Sequence, residues 1–401
     1  MRSRSIENLP EESSTRRMVL NIGPSHPATH GALRFLVELD GETIAKADAE
    51  IGYLHRAFEK HTEHSTWSQV IPYTDRLNYC SSMANNVGYC RAVETLLGIE
   101  IPERAQRIRL IVCELSRIMD HLICIGAAAV DLGALSNFWY LFNAREQIYD
   151  FTEKLCGARL TTNYTRIGGL MRDVTPDFLD GIRQVLKKLD KALREAGRLL
   201  ERNRIFMDRT QGIGIISKEE AINWGFTGPC LRASGVPLDL RRAEPYYHYD
   251  EFDFEIPIGT RGDTYDRLMV RFEEIRQSAK IVEQALKKIP DGPVMTDDRR
   301  VALPPKQQVY GSIEGLMNHF MLMMDGITVP KGEIYSATEA PNGELGFYIV
   351  SDGGHHPYRI RVRPPCFLMA SAFGKMIEGG MIADAVAVLG SLNLIVGELD
   401  R

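Results

Sequence analysis

Two histidines four residues apart, in Gly23-Pro24-Ser25-His26-Pro27-Ala28-Thr29-His30-Gly31, are the most distinctive chemistry in this chain. Imidazoles titrate near neutral pH, so such a pair could ligate a metal or move protons. Pro27 argues against a helical metal pair: it pushes His26 into an extended conformation, and the flanking glycines favour a loop. The same residues also fit a structural turn carrying surface histidines. A second dense stretch, Pro72-Tyr73-Thr74-Asp75-Arg76-Leu77-Asn78-Tyr79-Cys80, offers a tyrosine that could donate a proton, or a core tyrosine with its hydroxyl satisfied. Asp131 interrupts an apolar run from Ala127 to Leu135. A carboxylate there needs a partner such as a histidine, unless it caps the helix that follows. Glu114, Arg117 and His121 share one helical face and read as an ion-pair network inside the bundle or on its surface, not a ligand set.

Other chemistries find no support. Asp352-Gly353-Gly354-His355-His356 is a glycine-rich turn without a phosphate-loop pattern, and no G-x-x-x-x-G-K-[ST], H-E-x-x-H or Ser-His-Asp signature occurs. The net charge of −5 speaks against a nucleic-acid footprint. Seven scattered cysteines with no C-x-x-C argue against a disulfide framework or a complete iron–sulfur site. They fit small apolar core residues of a reducing compartment. Residues 1–17 lack the apolar core of a signal peptide, and the nearly apolar run 122–135 is too short to span a bilayer. The protein is expected to be soluble, or held at a membrane by partners.

The elements that must position these side chains follow from pattern. Residues 32–39 and 43–51 around Asp40-Gly41 predict a β-hairpin, and 53–64 a short helix. Apolar steps of three and four predict a helix over 103–130 after Pro102, and others over 135–156, closed by Gly157, 175–202 and 264–289. A loop-rich stretch covers 210–260. A helix near 312–324, strands near 332–337, 343–351 and 358–362, and a helical end complete the chain. The class is α+β. A polar tail (1–17) and a β-hairpin region (18–65) precede a helical bundle (66–300, with the loop-rich insertion) and a C-terminal α/β region (301–401).

Together these motifs resemble a family. The 23–31 stretch, Ile51-Gly52-Tyr53-Leu54-His55-Arg56, Tyr73-Thr74-Asp75-Arg76-Leu77-Asn78-Tyr79 and Asn163-Tyr164-Thr165-Arg166-Ile167-Gly168-Gly169 are similar to the quinone-pocket subunits of respiratory complex I, the D-type subunits of NADH-quinone oxidoreductase. Leu231-Arg232-Ala233-Ser234-Gly235, Arg261-Gly262-Asp263, Gly343-Glu344-Leu345-Gly346 and Ser351-Asp352-Gly353-Gly354 extend the likeness, which runs from about Met18 to Arg401.

The resemblance implies a fold shared with the large subunit of nickel–iron hydrogenases, which hold their metals with two C-x-x-C pairs. Here Arg76-Leu77-Asn78-Tyr79-Cys80-Ser81-Ser82 and Leu392-Asn393-Leu394-Ile395-Val396-Gly397 lack those thiolates, so this chain is expected to bind neither metal nor iron–sulfur cluster. Carried over by position, His30 and Tyr79 match the pair that hydrogen-bonds the quinone headgroup, and Asp131 the carboxylate partnering that histidine. Arg76 matches an arginine beside the tetranuclear iron–sulfur cluster of the adjacent B-type subunit. The resemblance further implies the C- and I-type subunits and the membrane H- and A-type subunits as partners. It also implies a peripheral place on the cytoplasmic side of the membrane, coupling to proton pumping, and no activity alone. A metal-free structural scaffold of a hydrogenase-like or ferredoxin-dependent membrane complex is the competing expectation.

One departure carries a prediction. Relatives often place a histidine before Asn163-Tyr164, near the cluster; this chain has Thr161-Thr162. The cluster's reduction potential is therefore expected to vary less with pH than in histidine-bearing relatives. Redox titration of the assembled complex at several pH values checks this, and a steep dependence would sink it.

Overall fold

In a computed structural model, which describes residues 17–401, the first element among the described residues belongs to an antiparallel sheet. The polar tail expected at 1–17 lies, Arg17 aside, outside the described residues. Strand β1 (Met18–Ile22) pairs with β2 (Arg34–Asp40), and β2 with β3 (Thr43–Glu50), around Gly41 at φ +66°. That left-handed turn is what Asp40-Gly41 supplies. Alternation along β2 buries Phe35, Val37 and Leu39.

The helix expected over 53–64 shrinks to α1 (Phe58–Thr62). A tertiary contact wins over local propensity here, because the N–H groups of Gly52 and Leu54 donate to the Asp400 carboxylate at 2.9 and 2.8 Å. Helix α2 (Trp67–Thr74) starts on a Thr66–Gln69 capping box, and α3 (Ser82–Leu97) ends on left-handed Gly98. The long α4 (Glu103–Asp131) follows Pro102, and α5 (Leu135–Cys156) stops at left-handed Gly157.

A two-stranded ladder, β4 (Thr165–Arg166) with β5 (Gly169–Leu170), leads to α6 (Pro176–Leu200), capped by Thr175. The 210–260 stretch is loop broken by short helices. After α7 (Arg204–Asp208) come α8 (Lys218–Asn223), α9 (Gly228–Ala233) and α10 (Leu240–Ala243), then α11 (Thr264–Ala285) with Asp263 as its cap. Next come α12 (Lys306–Gly311) and α13 (Ile313–Met324). The antiparallel sheet β6 (Gly332–Ala340), β7 (Gly343–Ser351) and β8 (Arg359–Arg363) precedes α14 (Pro365–Ile377), α15 (Ile382–Leu392) and α16 (Val396–Asp400).

Three apolar clusters hold these elements. The largest joins α4, α5, α6 and α11 through Leu115, Ile118, Ile148, Leu189 and Ile275. The third packs β6–β8 on α2 and α3. The second unites the two ends of the chain: Phe35 and Val37 of β2 meet Phe373, Leu392 and Val396. Backbone bonds between Ile44 and the Gly379-Gly380 turn, both 2.8 Å, stitch β3 to the C-terminal helices.

The face of α4 with Glu114, Arg117 and His121 is fully buried, so its network is internal. His121 Nε2 lies 2.8 Å from Glu274 of α11, and Glu114 accepts from Arg241 at 3.1 Å and from the Tyr249 hydroxyl at 2.6 Å. Arg232 joins Glu274 and Glu339 at 2.6 and 2.8 Å. Polar groups this deep survive because nearly each meets a partner of opposite charge.

Candidate functional site

The 23–31 loop is a built turn. His26, extended at φ −137°, accepts the Ala28 N–H on Nδ1 at 3.2 Å and so caps the 3-10 turn Pro27–Thr29. His26 is thereby occupied by loop structure. The turn delivers His30 in the left-handed conformation, φ 53°. Its Nε2 lies 2.7 Å from Asp131 Oδ2, the last residue of α4, in a close pair whose alignment falls short of a hydrogen bond. Both side chains keep some exposure, 24% for His30 and 16% for Asp131. On the far side, Gly390 of α15 lies so near that a Cβ there would sit 3.4 Å from Asp131 Oδ2. Asp131 thus faces the histidine loop instead of capping α5.

Tyr79 sits on a second wall. Asn78 caps its 3-10 turn by accepting the Cys80 N–H at 3.1 Å. The two walls meet across Val396-Gly397. A Cβ on Gly31 would lie 2.4 Å from Val396 Cγ2, and one on Gly397 would lie 2.4 Å from the Arg76 carbonyl and 3.3 Å from the Tyr79 ring. Glycine at 31 and 397 lets the histidine loop, the C-terminal turn and the tyrosine turn come within van der Waals contact. Gly397→Ala should therefore push on backbone oxygens that cannot swing away. The expected cost is about 1–3 kcal/mol, read as a lower melting temperature.

Burial pushes the Tyr79 phenol up to about 12, helped by Cys80, Cys366 and Asp120 and opposed by Arg56. It is held as a proton donor throughout the physiological range. Asp75, next to Arg76, is raised to about 7, chiefly by burial, against the pull of Asn86, Arg76 and Arg166. Arg76 itself is half-exposed, with Nη1 on the Pro72 carbonyl at 2.7 Å and 3.3 Å from Asp75. It borders a hollow of about 430 Å³ lined also by Arg56, His61, Tyr73, Leu77, Gly397 and Arg401. Neither His30 nor Tyr79 lines that hollow; Gly397 is the partition between it and the Tyr79 ring.

The four residues singled out from sequence fall into two groups. His30 and Asp131 form one pair, and Tyr79 and Arg76 flank Gly397. Three features escaped the sequence reading: the Val396-Gly397 partition, the arginines Arg56 and Arg401 in the hollow, and buried Asp120. For Asp120 a signal existed. It lies eleven residues before Asp131, close to three helical turns, and so on the same face of α4. Among the described residues, no group of three or more His, Cys, Asp or Glu is placed to hold a metal ion.

Comparison with known proteins agrees over most of the chain. Residues 131–401 match the family model described as "Respiratory-chain NADH dehydrogenase, 49 Kd subunit". The C/D-type subunit of the NADH-quinone oxidoreductase of Bdellovibrio bacteriovorus is 56% identical over 382 residues, 95% of this chain and 68% of that protein. The D-type subunit of the Myxococcus xanthus oxidoreductase is 54% identical over 387 residues, 96% and 93% of the two chains. One D-type subunit of Sorangium cellulosum is 53% identical over 399 residues, 99% of each chain. With one family model spanning more than half its length and such relatives spanning nearly all of it, the chain belongs to the 49 kDa subunit family of respiratory-chain NADH dehydrogenase.

Proposed function

We propose that this chain forms much of the quinone-reduction pocket of an NADH-quinone oxidoreductase. In this reading it works beside a tetranuclear iron–sulfur cluster in a neighbouring B-type subunit. It also passes the consequence of quinone reduction to proton-pumping membrane subunits. The C-, I-, H- and A-type subunits are the other proposed neighbours, and the C/D name of one relative favours contact with the C type. The proposed place is the cytoplasmic side of the membrane. Among the described residues no helix is long and apolar enough to cross a bilayer; attachment through the partner subunits is part of the proposal.

The observation that carries the reading is a pair of unlike donors on two touching walls. One is the His30 imidazole 2.7 Å from Asp131, and the other is the Tyr79 phenol held protonated by burial. Two-electron reduction of a quinone places charge on two carbonyl oxygens, and two protons must neutralise it. Tyr79 can give one from its hydroxyl and His30 one from its ring. The attraction between His30 and Asp131 is strongest while the imidazole carries its proton; once that proton is lost the pair is free to part. In this reading Arg76, on the other side of Gly397, would set a fixed positive charge beside the electron-donating cluster of the neighbouring subunit.

The test is His30→Ala and Tyr79→Phe in the assembled complex. Quinone reduction should collapse in both while NADH oxidation by an artificial acceptor persists. A scaffold subunit would leave assembly and quinone reduction intact in both variants, and that result would end the proposal.

A further inference from the structure

The long helix α4 carries a second buried carboxyl, which the chemistry above does not use. Asp120 is fully buried, about 16 Å along the helix from Asp131. Its two oxygens accept from two amides, Asn78 Nδ2 at 2.8 Å and Asn393 Nδ2 at 2.6 Å. Among the described residues no lysine, arginine or histidine forms an ion pair with it. Two N–H donors are the partners an ionised carboxylate asks for. Without a cation, they are what makes its burial tolerable.

Each amide stands at the base of one part of the pocket wall. Asn78 is the cap of the Tyr79 turn: its Oδ1 takes the Cys80 N–H at 3.1 Å, and its carbonyl takes Asn85 Nδ2 at 2.9 Å. Asn393 closes α15 in the left-handed conformation, φ 57°, and begins the turn into Val396-Gly397. That turn touches Gly31 beside His30 on one side and the Tyr79 ring on the other. One carboxylate therefore ties together two backbone turns that are more than 300 residues apart in sequence.

We infer that Asp120 is a positioning residue for quinone reduction, holding the Tyr79 turn and the Val396-Gly397 turn in register through Asn78 and Asn393. The inference rests on the pocket reading given above. Asp120 touches no reacting atom; its effect passes through the two amides. Its charge also adds to burial in keeping the nearby phenol protonated.

The polarity of the bridge makes the inference testable. Asp120→Asn leaves one acceptor where there were two, so an N–H₂ group is turned against either Asn78 or Asn393. In the assembled complex, quinone turnover should fall by about tenfold or more, with NADH oxidation by an artificial acceptor unchanged. Adding Asn78→Asp reverses one bond without losing any. The new amide at 120 donates to the new carboxylate at 78 and accepts from Asn393, while that carboxylate still accepts the Cys80 N–H. This double variant should return to within about threefold of wild type.

Rescue by exchanged polarity would show that the two hydrogen bonds, and not the carboxylate itself, set the turnover. Turnover within about twofold of wild type in Asp120→Asn overturns the inference. If Asp120→Asn blocks assembly, the double variant decides alone: assembled and active supports the inference, while unassembled, or assembled and inactive, overturns it. Tyr79→Phe run alongside separates the two layers. Loss in Tyr79→Phe with a silent Asp120→Asn sinks the role of Asp120 only, whereas a silent Tyr79→Phe sinks the pocket reading itself.

Discussion

Tyr79→Phe in the assembled complex is expected to lower quinone turnover by about 10²–10⁴-fold, the range for removing a positioned proton donor. The substitution deletes one oxygen and leaves the ring that packs against Gly397. Assembly should therefore be unaffected. The phenol is raised to about 12, chiefly by burial. It stays protonated at every pH at which turnover is normally measured, so the loss should be the same at pH 6 and pH 9. A stability signature accompanies it. A group whose folded pKa exceeds its unfolded value, about 10 for tyrosine, adds stability that is full below the unfolded pKa and lost as pH rises through the folded one. Wild type should lose that increment between about pH 10 and 12, and Tyr79→Phe should not. Alkaline unfolding curves of the two proteins would settle this; equal slopes would contradict the burial argument.

Arg232→Met should damage the fold severely, at about 3–5 kcal/mol, the cost of breaking a buried ion pair from one side. The guanidinium is fully buried, with Nε and Nη2 on Glu274 at 2.9 and 2.6 Å and Nη1 on Glu339 at 2.8 Å. Methionine keeps much of the volume and none of the charge, so two carboxylates lose their cation. Glu274 retains His121 at 2.8 Å, and Glu339 retains the Leu240 N–H at 3.1 Å. Burial alone would raise Glu274, but Arg232, His121 and Arg117 hold it well below the usual carboxylate range. With the folded value depressed, its stabilisation is present above the unfolded pKa and fades as pH falls toward the folded one. The gap between variant and wild type should therefore narrow below about pH 4.5. Urea unfolding at pH 7 and pH 4 measures both effects. A difference under about 1 kcal/mol at pH 7 would mean that the network is not held by Arg232.

How much was legible beforehand depended on the range of the signal. The helix ending at Gly157 and the strand Gly343–Ser351 could be read from sequence because cap, period and turn lie within a few residues of one another. The 53–64 segment could not. Its backbone donors are claimed by Asp400, nearly 350 residues away, and no local pattern encodes that contact. Pro27 already spoke against a helical two-histidine site, and the cap made by His26 shows what the loop does with that residue instead. Asp131 was visible as a carboxylate in apolar company, a placement that costs free energy unless a partner exists.

What the sequence determined by itself is the list of reactive groups and the helices and strands that carry them, since these rest on residue type and short-range spacing. Only the tertiary structure decided which groups meet. The first sheet and the last three helices share one core, so the turn at Val396-Gly397 is delivered between the His30 loop and the Tyr79 turn. That meeting depends on apolar surface buried across the full length of the chain, a force without direction or period. It also depends on two glycines, Gly31 small enough to admit the Val396 side chain and Gly397 small enough to lie against the Arg76 and Leu77 carbonyls. Asp120, marked in the sequence only by its spacing from Asp131, takes on meaning there, because Asn78 and Asn393 become its neighbours only after the ends of the chain have packed together.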